Sequence, residues 1–469
     1  MDFILDIEQE GDGRRLAETG HELMRALPAM SAVLGAMDSP ASLGLDPETA
    51  TLCAALLART PRPLLREAIE NFLDTRREAV RQGLVRDKGE LALPVLLPRL
   101  VHHAAAAAAP RLRRVINASG VVIHTNLGRS LLADEAVAAV AEAARGYTNL
   151  EFDLGTGERG SRQSHVEGLI CRLTGAEAAI AVNNNAAAVL LILDTLCKGR
   201  EVIVSRGELV EIGGSFRIPA VMAKSGCILR EVGATNRTHL ADYAAAVTEA
   251  TAALLKVHTS NYRIIGFVKD VSRRELATLA GEKGLPLIED LGSGLLLDPA
   301  ALGAPALGGE PLVRQVLAEG VDVVAFSGDK VLGGPQAGII AGKAAFIDRI
   351  RKNQLLRAVR IDKLTLAALE ATLRLYTDPN LAKERVPTLR MICLGKDELR
   401  RRADELAAAI NPAAGISVMV REGNSRVGGG AFPEADLPTF VVCVAHEAVA
   451  PAVLQRALLQ VNPPVLARI

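Results

Sequence analysis

The chain has 469 residues, of which 49% are hydrophobic and 3% are aromatic, and its formal net charge at pH 7 is zero. This length predicts more than one domain with a large buried core, and the composition excludes a disordered or fibrous protein. The sequence has no apolar run of membrane-spanning length, no signal-peptide pattern at its start, and no cysteine spacing of the zinc-site or disulfide-framework type. We therefore expect a cytoplasmic protein with no membrane segment and no metal centre.

Helical patterns dominate the first hundred residues. Leucine and alanine recur at helical spacing over residues 14–35 and 47–59, and Leu64–Leu84 has the pattern of a longer amphipathic helix after the break at Pro61. We therefore predict a separate helical N-terminal domain over residues 1–105.

Charge is distributed unevenly along this helical region. Residues 1–56 carry 10 acidic and 3 basic side chains, whereas residues 57–114 carry 6 acidic and 12 basic ones. A positive segment within a neutral protein is typical of a surface that binds a phosphate backbone. A charged helical surface without a ligand explains the same counts, so charge alone leaves the two interpretations even.

Helical and strand patterns alternate from about Ala133 to Ile350, which implies crossover units and a mostly parallel sheet with helices on both faces. This alternation predicts an α/β core domain over residues 106–350. The expected strands are Ala178–Val182, Glu201–Ser205, Ile228–Val232, Ala253–Val257, Leu285–Glu289, Val321–Phe326 and Ala337–Ala341.

Residues 351–469 are predicted to form a bridging helix and a small α+β C-terminal domain. The bridge is one long helical pattern over Arg349–Tyr376. The elements expected after it are a helix over Lys396–Ile410, strands over Ile416–Val420 and Thr439–Val444, and a helix over Val449–Leu459.

The segment VDVVAFSGDKVLGGPQAG, residues 321–338, carries the strongest chemical signal. An apolar strand leads into Ser327, Asp329 and Lys330, and a glycine-rich turn follows. A lysine held away from water among small residues has a lowered pKa, which frees its neutral amine for Schiff-base chemistry. A surface lysine ahead of a hairpin is the commoner reading of such a lysine taken alone.

Two other segments favour the chemical reading. Asp290 stands at the end of an apolar strand and is followed by a glycine turn, as suits a ligand crevice in an α/β sheet. Asn184 and Asn185 lie in a turn between a strand and a helix, where backbone N–H groups form an anion site suited to phosphate. Pyridoxal phosphate needs a phosphate cradle, a carboxylate for its pyridine nitrogen and a lysine. With Lys330, these features predict a pyridoxal-phosphate enzyme of the aminotransferase-like class.

The motifs resemble the bacterial selenocysteine synthase family, the L-seryl-tRNA(Sec) selenium transferases. The matching stretches run from about Arg113 to Thr439 in consistent order, whereas the first hundred residues resemble the family only as a helical domain in the right place. They are RRVINASGVVIHTNLGRSLL (113–132), YTNLEFDLGTGERGSR (147–162), VNNNAAAVLL (182–191), SRGELVEIGGSFRIP (205–219), VGATNRT (232–238), HTSNYRIIGF (258–267), EDLGSGLL (289–296), SGDKVLGGPQAGII (327–340), LRAVRIDKLTLAALEATL (356–373) and GGGAFPEADLPT (428–439).

The resemblance implies pyridoxal-phosphate fold type I and a role for each motif residue. Lys330 would hold the cofactor as a Schiff base, Asp290 would face the pyridine nitrogen, and Asp329 would be the family's acidic active-site residue. The residues implied near the cofactor phosphate are Asn184, Asn185 and Ser327. An unliganded turn is the alternative for the two asparagines, and a turn-capping role is compatible with Asp329.

Three arginines resemble the family residues that bind the oxyanion of the selenium donor: Arg129, Arg357 and Arg360. Guanidinium groups match phosphate in shape and keep their charge when partly buried. Arg357 and Arg360 lie three apart on a predicted helix, so both can point at one anion, although a solvated helix face is the alternative for them. Residues without an assigned role are Arg162, His165, Arg206, Arg217, Arg237, His258 and Tyr262.

The implied reaction converts seryl-tRNA(Sec) to selenocysteinyl-tRNA(Sec) by β-elimination to an aminoacrylyl intermediate, followed by selenium addition from selenophosphate. The implied partners are the tRNA, held by the N-terminal domain, and further copies of the chain in a homo-oligomer, a decamer built as a pentamer of dimers; no DNA is expected. One rival is a pyridoxal-phosphate lyase acting on a small amino acid or an amino sugar phosphate. The other is a non-catalytic RNA-binding protein, which the presence of both Lys330 and Asp290 disfavours.

The sequence departs from the family at its end. Relatives continue beyond the Pro463-Pro464-Val465 segment with another strand and a helix, whereas this chain stops at Ile469 within an apolar run that reads as a strand. We expect either a truncated sequence or a shortened tail. Truncation would leave an unpaired strand edge, which favours aggregation.

Overall fold

The computed structural model describes residues 20–85, 87–212, 216–260, 262, 264–410, 415–428 and 436–469. The chain forms two compact units, Met1–Arg114 and Val115–Ile469. Residues 1–19, on which the expected absence of a signal peptide and the start of the helix predicted over residues 14–35 depend, lie outside the described residues. Within the described ranges no helix is long and apolar enough to cross a membrane.

The N-terminal unit is helical in its described part. Apolar faces of its helices bury Ile69, Phe72, Leu97 and Leu100 in a common core. The helix predicted over residues 14–35 is interrupted at Pro28, because proline has no N–H to donate and restricts the residue before it. The helices are residues 20–26, Met30–Asp38, Pro47–Arg59, Arg62–Arg81 and Leu93–Ala108, with 3₁₀ turns at Pro40–Leu43 and Lys88–Leu91.

A seven-stranded sheet organises the second unit. Its spatial order is Ala178–Val182, Gly338–Gly342, Val323–Ser327, Leu287–Gly292, Thr251–Val257, Glu201–Ser205 and Ile228–Val232. Gly338–Gly342 runs antiparallel to both of its neighbours, and the other adjacent pairs are parallel. All seven predicted strands are therefore confirmed, with ends that shift by up to three residues.

Both faces of this sheet are buried, except at the edge strand Ile228–Val232, which is mostly exposed. Along the strand Val323–Ser327, Val324 and Phe326 pack into one core and Val323 and Ala325 into the other. Successive side chains on a strand point to opposite faces, so two cores require helices on both sides. The sequence accordingly shows continuous apolar runs in these strands rather than apolar–polar alternation.

The helices of the second unit cover these faces and extend to its C-terminal part. They are Asp134–Arg145, Ser164–Thr174, Asn185–Leu196, Ile218–Ser225, Leu240–Ala246, Arg273–Lys283, Pro299–Leu302, Val313–Ala318, Ala344–Arg351, Leu355–Val359, Lys363–Leu375, Pro379–Arg385, Pro387–Ile392, Lys396–Ala409 and Pro451–Leu458, with 3₁₀ turns at Thr125–Leu127, Arg206–Glu208 and Pro305–Leu307.

The prediction of one long bridging helix over Arg349–Tyr376 is wrong. Two polar side chains divide the segment: Asn353 accepts a hydrogen bond from the Leu355 N–H, and Asp362 caps a new helix by accepting from the N–H groups of Leu364 and Thr365. Side chains of this type compete with continuing helical hydrogen bonds. The segment therefore forms three separate helices.

Shorter sheets complete the second unit. Ile116–Ala118 pairs in parallel with Val465–Ala467, so the apolar run near the end of the chain is a strand with a partner. Val121–Ile123 pairs with Ile416–Gly428, which forms a long antiparallel hairpin with Asp436–His446. Two short strands, Glu211–Ile212 and Phe216–Arg217, also pair.

Candidate functional site

Strand ends converge at one edge of the large sheet. Gly338 is in register with both Val182 and Ser327, and Asp290 is in register with Val257 of the next strand. The carboxyl ends of parallel strands lie at the same edge, where α/β proteins place their ligands. The segments that carry the predicted lysine, carboxylate and asparagine turn therefore meet, as the sequence predicts.

Lys330 lies directly after this edge and is largely enclosed. Burial lowers the pKa of its amine, although the carboxylates of Asp290, Asp329 and Glu310 oppose the shift. Its Nζ atom stands 3.4 Å from where a Cβ on Gly292 would be, and Gly292 has a φ of +75°. A side chain at this glycine would be strained and would crowd the amine, so the turn leaves the reactive atom its space.

Asp290 is buried beside this amine. Burial raises the pKa of its carboxyl group, while a hydrogen bond from Asn185 and the charge of Lys330 lower it. The Asn185 Nδ2 atom donates to Asp290 Oδ1 over 2.8 Å. The structure therefore places the Asn185 side chain on the carboxylate, whereas the sequence pattern predicted it only at a phosphate.

Asn184 instead begins a helix. Its Oδ1 atom accepts from the Ala187 N–H over 2.9 Å, which leaves the first N–H groups of the helix, at Asn185 and Ala186, for an anion. The reversed strand passes directly beneath this turn: a Cβ on Gly338 would lie 2.2 Å from the Asn184 carbonyl oxygen. Only glycine allows this approach. Ser327, the third residue expected near a phosphate, is buried at the neighbouring strand end.

Arg129 and Ser130 contact Asp329 and Lys330, although the two pairs lie 200 positions apart in the sequence. Arg129 donates through Nη1 to Asp329 Oδ2 over 2.8 Å, and Asp329 is buried. Ser130 donates through its hydroxyl to the Lys330 carbonyl oxygen over 2.7 Å. Arg129 has a φ of +63°, a backbone conformation that is unfavourable for a residue with a Cβ. The structure thus holds a charged guanidinium beside the reactive lysine at the expense of local strain.

Arg357 and Arg360 do not share a helix, because Arg357 lies in the short helix Leu355–Val359 and Arg360 has extended backbone after it. They nevertheless line one cavity of about 370 Å³. Glu151 on its wall accepts from Arg162 Nε over 2.9 Å and lies 3.7 Å from Arg360. Among the described residues no carboxylate pairs with Arg357. The cavity therefore has more positive than negative charge in contact with it.

The residues without an assigned role divide into two groups. His258 shares a hydrogen bond of 3.0 Å with the buried carboxylate of Glu310 and donates its backbone N–H to the Asp290 carbonyl oxygen. The others make local contacts: Arg162 with Glu151, His165 with the Leu150 carbonyl, Arg206 with Glu231, Arg217 with Glu211, Arg237 with the Phe267 carbonyl, and Tyr262 with the Gly207 carbonyl.

Sequence reasoning missed Ser130, Glu151 and Glu310. Ser130 and Glu151 lie within the matched stretches, so their position in those stretches was the available signal. Glu310 lies in a glycine-rich loop outside them and carries no pattern that would single it out.

Comparison with known proteins shows which family the chain belongs to. The model of the family described as SelA, L-seryl-tRNA selenium transferase, matches residues 115–469. The L-seryl-tRNA(Sec) selenium transferase of Nitratidesulfovibrio vulgaris is 58% identical over 451 residues, which is 96% of this chain and 93% of that protein. The enzyme of the same name from Maridesulfovibrio salexigens is 61% identical over 412 residues, 87% of this chain and 88% of that protein.

The fold is similar to that of a solved enzyme. The structure of D-glucosaminate-6-phosphate ammonia-lyase has a TM-score of 0.54 and 22% sequence identity, and the match covers 76% of this chain and 87% of that one. This likeness concerns the fold. With the sheet order described above, it confirms the predicted aminotransferase-like α/β fold class.

Proposed function

The chain belongs to the L-seryl-tRNA selenium transferase family, and from this premise we propose that it converts L-seryl-tRNA(Sec) to L-selenocysteinyl-tRNA(Sec). The structural observation that best supports this function is the enclosed amine of Lys330. It lies beside buried Asp290 and next to the Arg129–Asp329 ion pair.

Pyridoxal phosphate is the proposed cofactor, and the residues present fit it. Asp290 is buried, and no cation among the described residues donates a hydrogen bond to its carboxylate. A protonated pyridine nitrogen would be such a cationic donor. Asn185 Oδ1 and Ser293 Oγ are buried in the same region and have no hydrogen-bond partner in the described part of the chain. The helix start after Asn184 offers N–H groups to the phosphate. When bound, the cofactor ring takes up the negative charge that develops as the α-proton leaves.

Lys330 has two tasks in this proposal. Its amine would hold the cofactor in the resting enzyme, and as a free amine it would take the α-proton of the seryl group. A lowered pKa suits both tasks, because only the neutral amine has a lone pair. Ser130 fixes the lysine backbone through its hydrogen bond to the carbonyl oxygen, which keeps Nζ directed at the substrate.

The arginines are proposed to bind the selenium donor, selenophosphate. Arg357 has no carboxylate partner among the described residues, so its positive charge is uncompensated, and Arg360 lies 3.7 Å from Glu151, at the outer limit for an ion pair. Arg129 is already bonded to Asp329, so its guanidinium is held in place before any anion arrives. Pre-oriented guanidinium groups bind an oxyanion with little loss of side-chain freedom.

The N-terminal unit is proposed to bind the tRNA. Its helix Arg62–Arg81 exposes Arg66, which has no carboxylate partner among the described residues, whereas Arg81 is paired with Glu78 at 3.1 Å. The positive charge available to phosphate is therefore smaller than the sequence count indicates. Loss of binding as salt rises would support a phosphate-backbone interface.

A homo-oligomer, built as a decamer, is proposed for the working enzyme. Tyr147, Phe152 and Leu154 are exposed within eight positions of each other. Large apolar side chains concentrated in this way are typical of surfaces that another subunit covers. Light scattering of the purified protein tests this, and an active monomer would contradict it.

The test of the function is direct. Purified protein is supplied with pyridoxal phosphate, seryl-tRNA(Sec) and selenophosphate, and selenocysteinyl-tRNA is measured. Lys330→Ala should form none, whereas Lys283→Ala, which alters an exposed lysine away from the site, should be as active as the unaltered protein. Product formed by Lys330→Ala, or none by the unaltered protein, would refute the assignment.

A further inference from the structure

A second and larger cavity opens next to the lysine site. It has a volume of about 970 Å³, at the upper end of the range for small-molecule pockets. His258 and Glu310 line it, and the Glu310 carboxylate acts electrostatically on Lys330. His258 adjoins Asp290 through its backbone hydrogen bond. A seryl group would fill only a small part of this space, so the cavity has room for what the seryl group is attached to.

Two cations stand side by side at its rim. Arg237 and Lys269 are neighbours in a parallel backbone bridge, and both line the cavity. Among the described residues no carboxylate forms an ion pair with either side chain. Deeper in the cavity, by contrast, Lys256 is neutralised by Glu208 at 2.9 Å. Exposed Asp270, next to Lys269 in the chain, also lines the cavity, so one net positive charge remains at the rim, where an anion can reach it.

An exposed aromatic ring lies beside these cations; its chain neighbours Gly266 and Val268 line the cavity, whereas Phe267 itself does not. Phe267 is 84% exposed, and the Arg237 guanidinium stands 5.8 Å from the centre of its ring. The backbone there is fixed, because Asn236 Nδ2 donates to the Phe267 carbonyl oxygen over 2.7 Å. An exposed phenylalanine is costly to leave in water, and a fixed ring next to a guanidinium is a surface on which a nucleobase can stack.

The buried end of the cavity has an unused acceptor. Glu310 is 5% exposed in its side chain; Oε2 meets the His258 ring at 3.0 Å, whereas Oε1 is buried with no partner among the described residues. Buried polar atoms are normally satisfied. A ligand with a hydroxyl group, such as a ribose, would satisfy this oxygen.

We propose that this cavity holds the 3′-terminal nucleotides of the aminoacylated RNA, with Arg237 and Lys269 on a phosphate, a base on Phe267, and the terminal ribose toward Glu310. The inference rests on the proposed function, because the ribose is the part of the substrate to which the seryl group is esterified. It places RNA-binding residues in the catalytic unit, separate from the helical N-terminal unit.

The experiment uses the full-length protein and a C-C-A trinucleotide that carries serine through a non-hydrolysable 3′-amide. Its dissociation constant is measured for the unaltered protein, for Phe267→Ala and for Arg237→Ala. Loss of one stacking or phosphate contact should weaken binding by about tenfold in each variant. Arg274→Ala is the matched control, because Arg274 is an exposed arginine that does not line the cavity; it should bind as the unaltered protein does.

Two further readouts separate RNA contact from a structural effect. Arg237→Ala should reduce the slope of log affinity against log salt by about 0.7, whereas Phe267→Ala should leave the slope unchanged. Phe267→Tyr should restore binding, because tyrosine also stacks. In Phe267→Ala and Arg237→Ala, selenium transfer to full-length seryl-tRNA should show a raised KM for the tRNA with kcat nearly unchanged.

Unchanged trinucleotide affinity in Phe267→Ala and Arg237→Ala would overturn the inference. So would a change in subunit assembly for Phe267→Ala with RNA affinity intact, since the cavity would then face another copy of the chain. Failure of the unaltered protein to form selenocysteinyl-tRNA would refute the proposed function instead, and this outcome is distinguishable because trinucleotide binding is measured separately.

Discussion

Asn185 and Asn184 are adjacent in sequence, yet the structure gives their side chains different partners, and this difference can be tested. Asn185→Ala removes the donor that lies 2.8 Å from Asp290 Oδ1. A hydrogen bond to a charged buried group contributes about 1.5–3 kcal/mol, so the dissociation constant of pyridoxal phosphate should rise by about 10- to 150-fold. The physical reason is that Asp290 without this donor favours its protonated form, which cannot pair with a pyridinium.

Asn184→Ala is the matched control. It removes the helix cap at Ala187, which costs about 0.5–2 kcal/mol of stability, and leaves the partner of Asp290 in place. Cofactor binding is followed by the absorbance of the bound cofactor during titration, and stability by urea unfolding of the cofactor-free protein. Unchanged cofactor affinity in Asn185→Ala would refute the reasoning, because the side chain of Asn185 would then not act through Asp290.

Four other outcomes follow from the structure. Borohydride reduction and peptide mapping should place the cofactor on Lys330, and a label on another lysine would displace the site. Arg357→Ala combined with Arg360→Ala should cut selenophosphate use by at least about tenfold, while elimination from seryl-tRNA, followed by the cofactor spectrum, continues; unchanged donor dependence would make these arginines structural. In the cofactor-free protein burial raises the pKa of Asp290, so folding favours its protonated form and this group's contribution to stability is lost as pH rises above the ordinary aspartate pKa of about 4. Asp290→Asn should therefore gain stability relative to the unaltered protein as pH rises from there, and parallel stability profiles would contradict the shift. A chain that begins at Val115 should load the cofactor but lose most affinity for seryl-tRNA, and full affinity in a filter-binding assay would remove the N-terminal unit from the tRNA interface.

The sequence was sufficient for the central sheet. Most of its strands are short apolar runs bounded by turn residues, because a strand buried on both faces tolerates few polar side chains. The edge strand Ile228–Val232 is the exception, since it carries exposed Arg230 and Glu231. Ala178–Val182 is the plainest example, with all five residues buried. Such strands need no tertiary information to be recognised.

The sequence was insufficient where a polar side chain selects a distant partner. Asn353 and Asp362 look like ordinary helix-surface residues, and only their bonds to local N–H groups show that the helix ends there. Asn185 reaches Asp290 across 105 positions, and His258 reaches Glu310 across 52. Such pairings depend on how the elements pack, and no local pattern in the chain encodes them.

The order of strands in the sheet has a consequence for synthesis of the chain. Ala178–Val182 is the first strand of the sheet to be made, but its neighbour is Gly338–Gly342, the last. At ribosomal rates of about 5–20 residues per second, roughly 10 to 30 s pass between them. During that time an apolar segment with unpaired backbone groups is free to associate with other nascent chains. Demand for chaperones should therefore be highest in this interval and end when the glycine-rich reversed strand inserts.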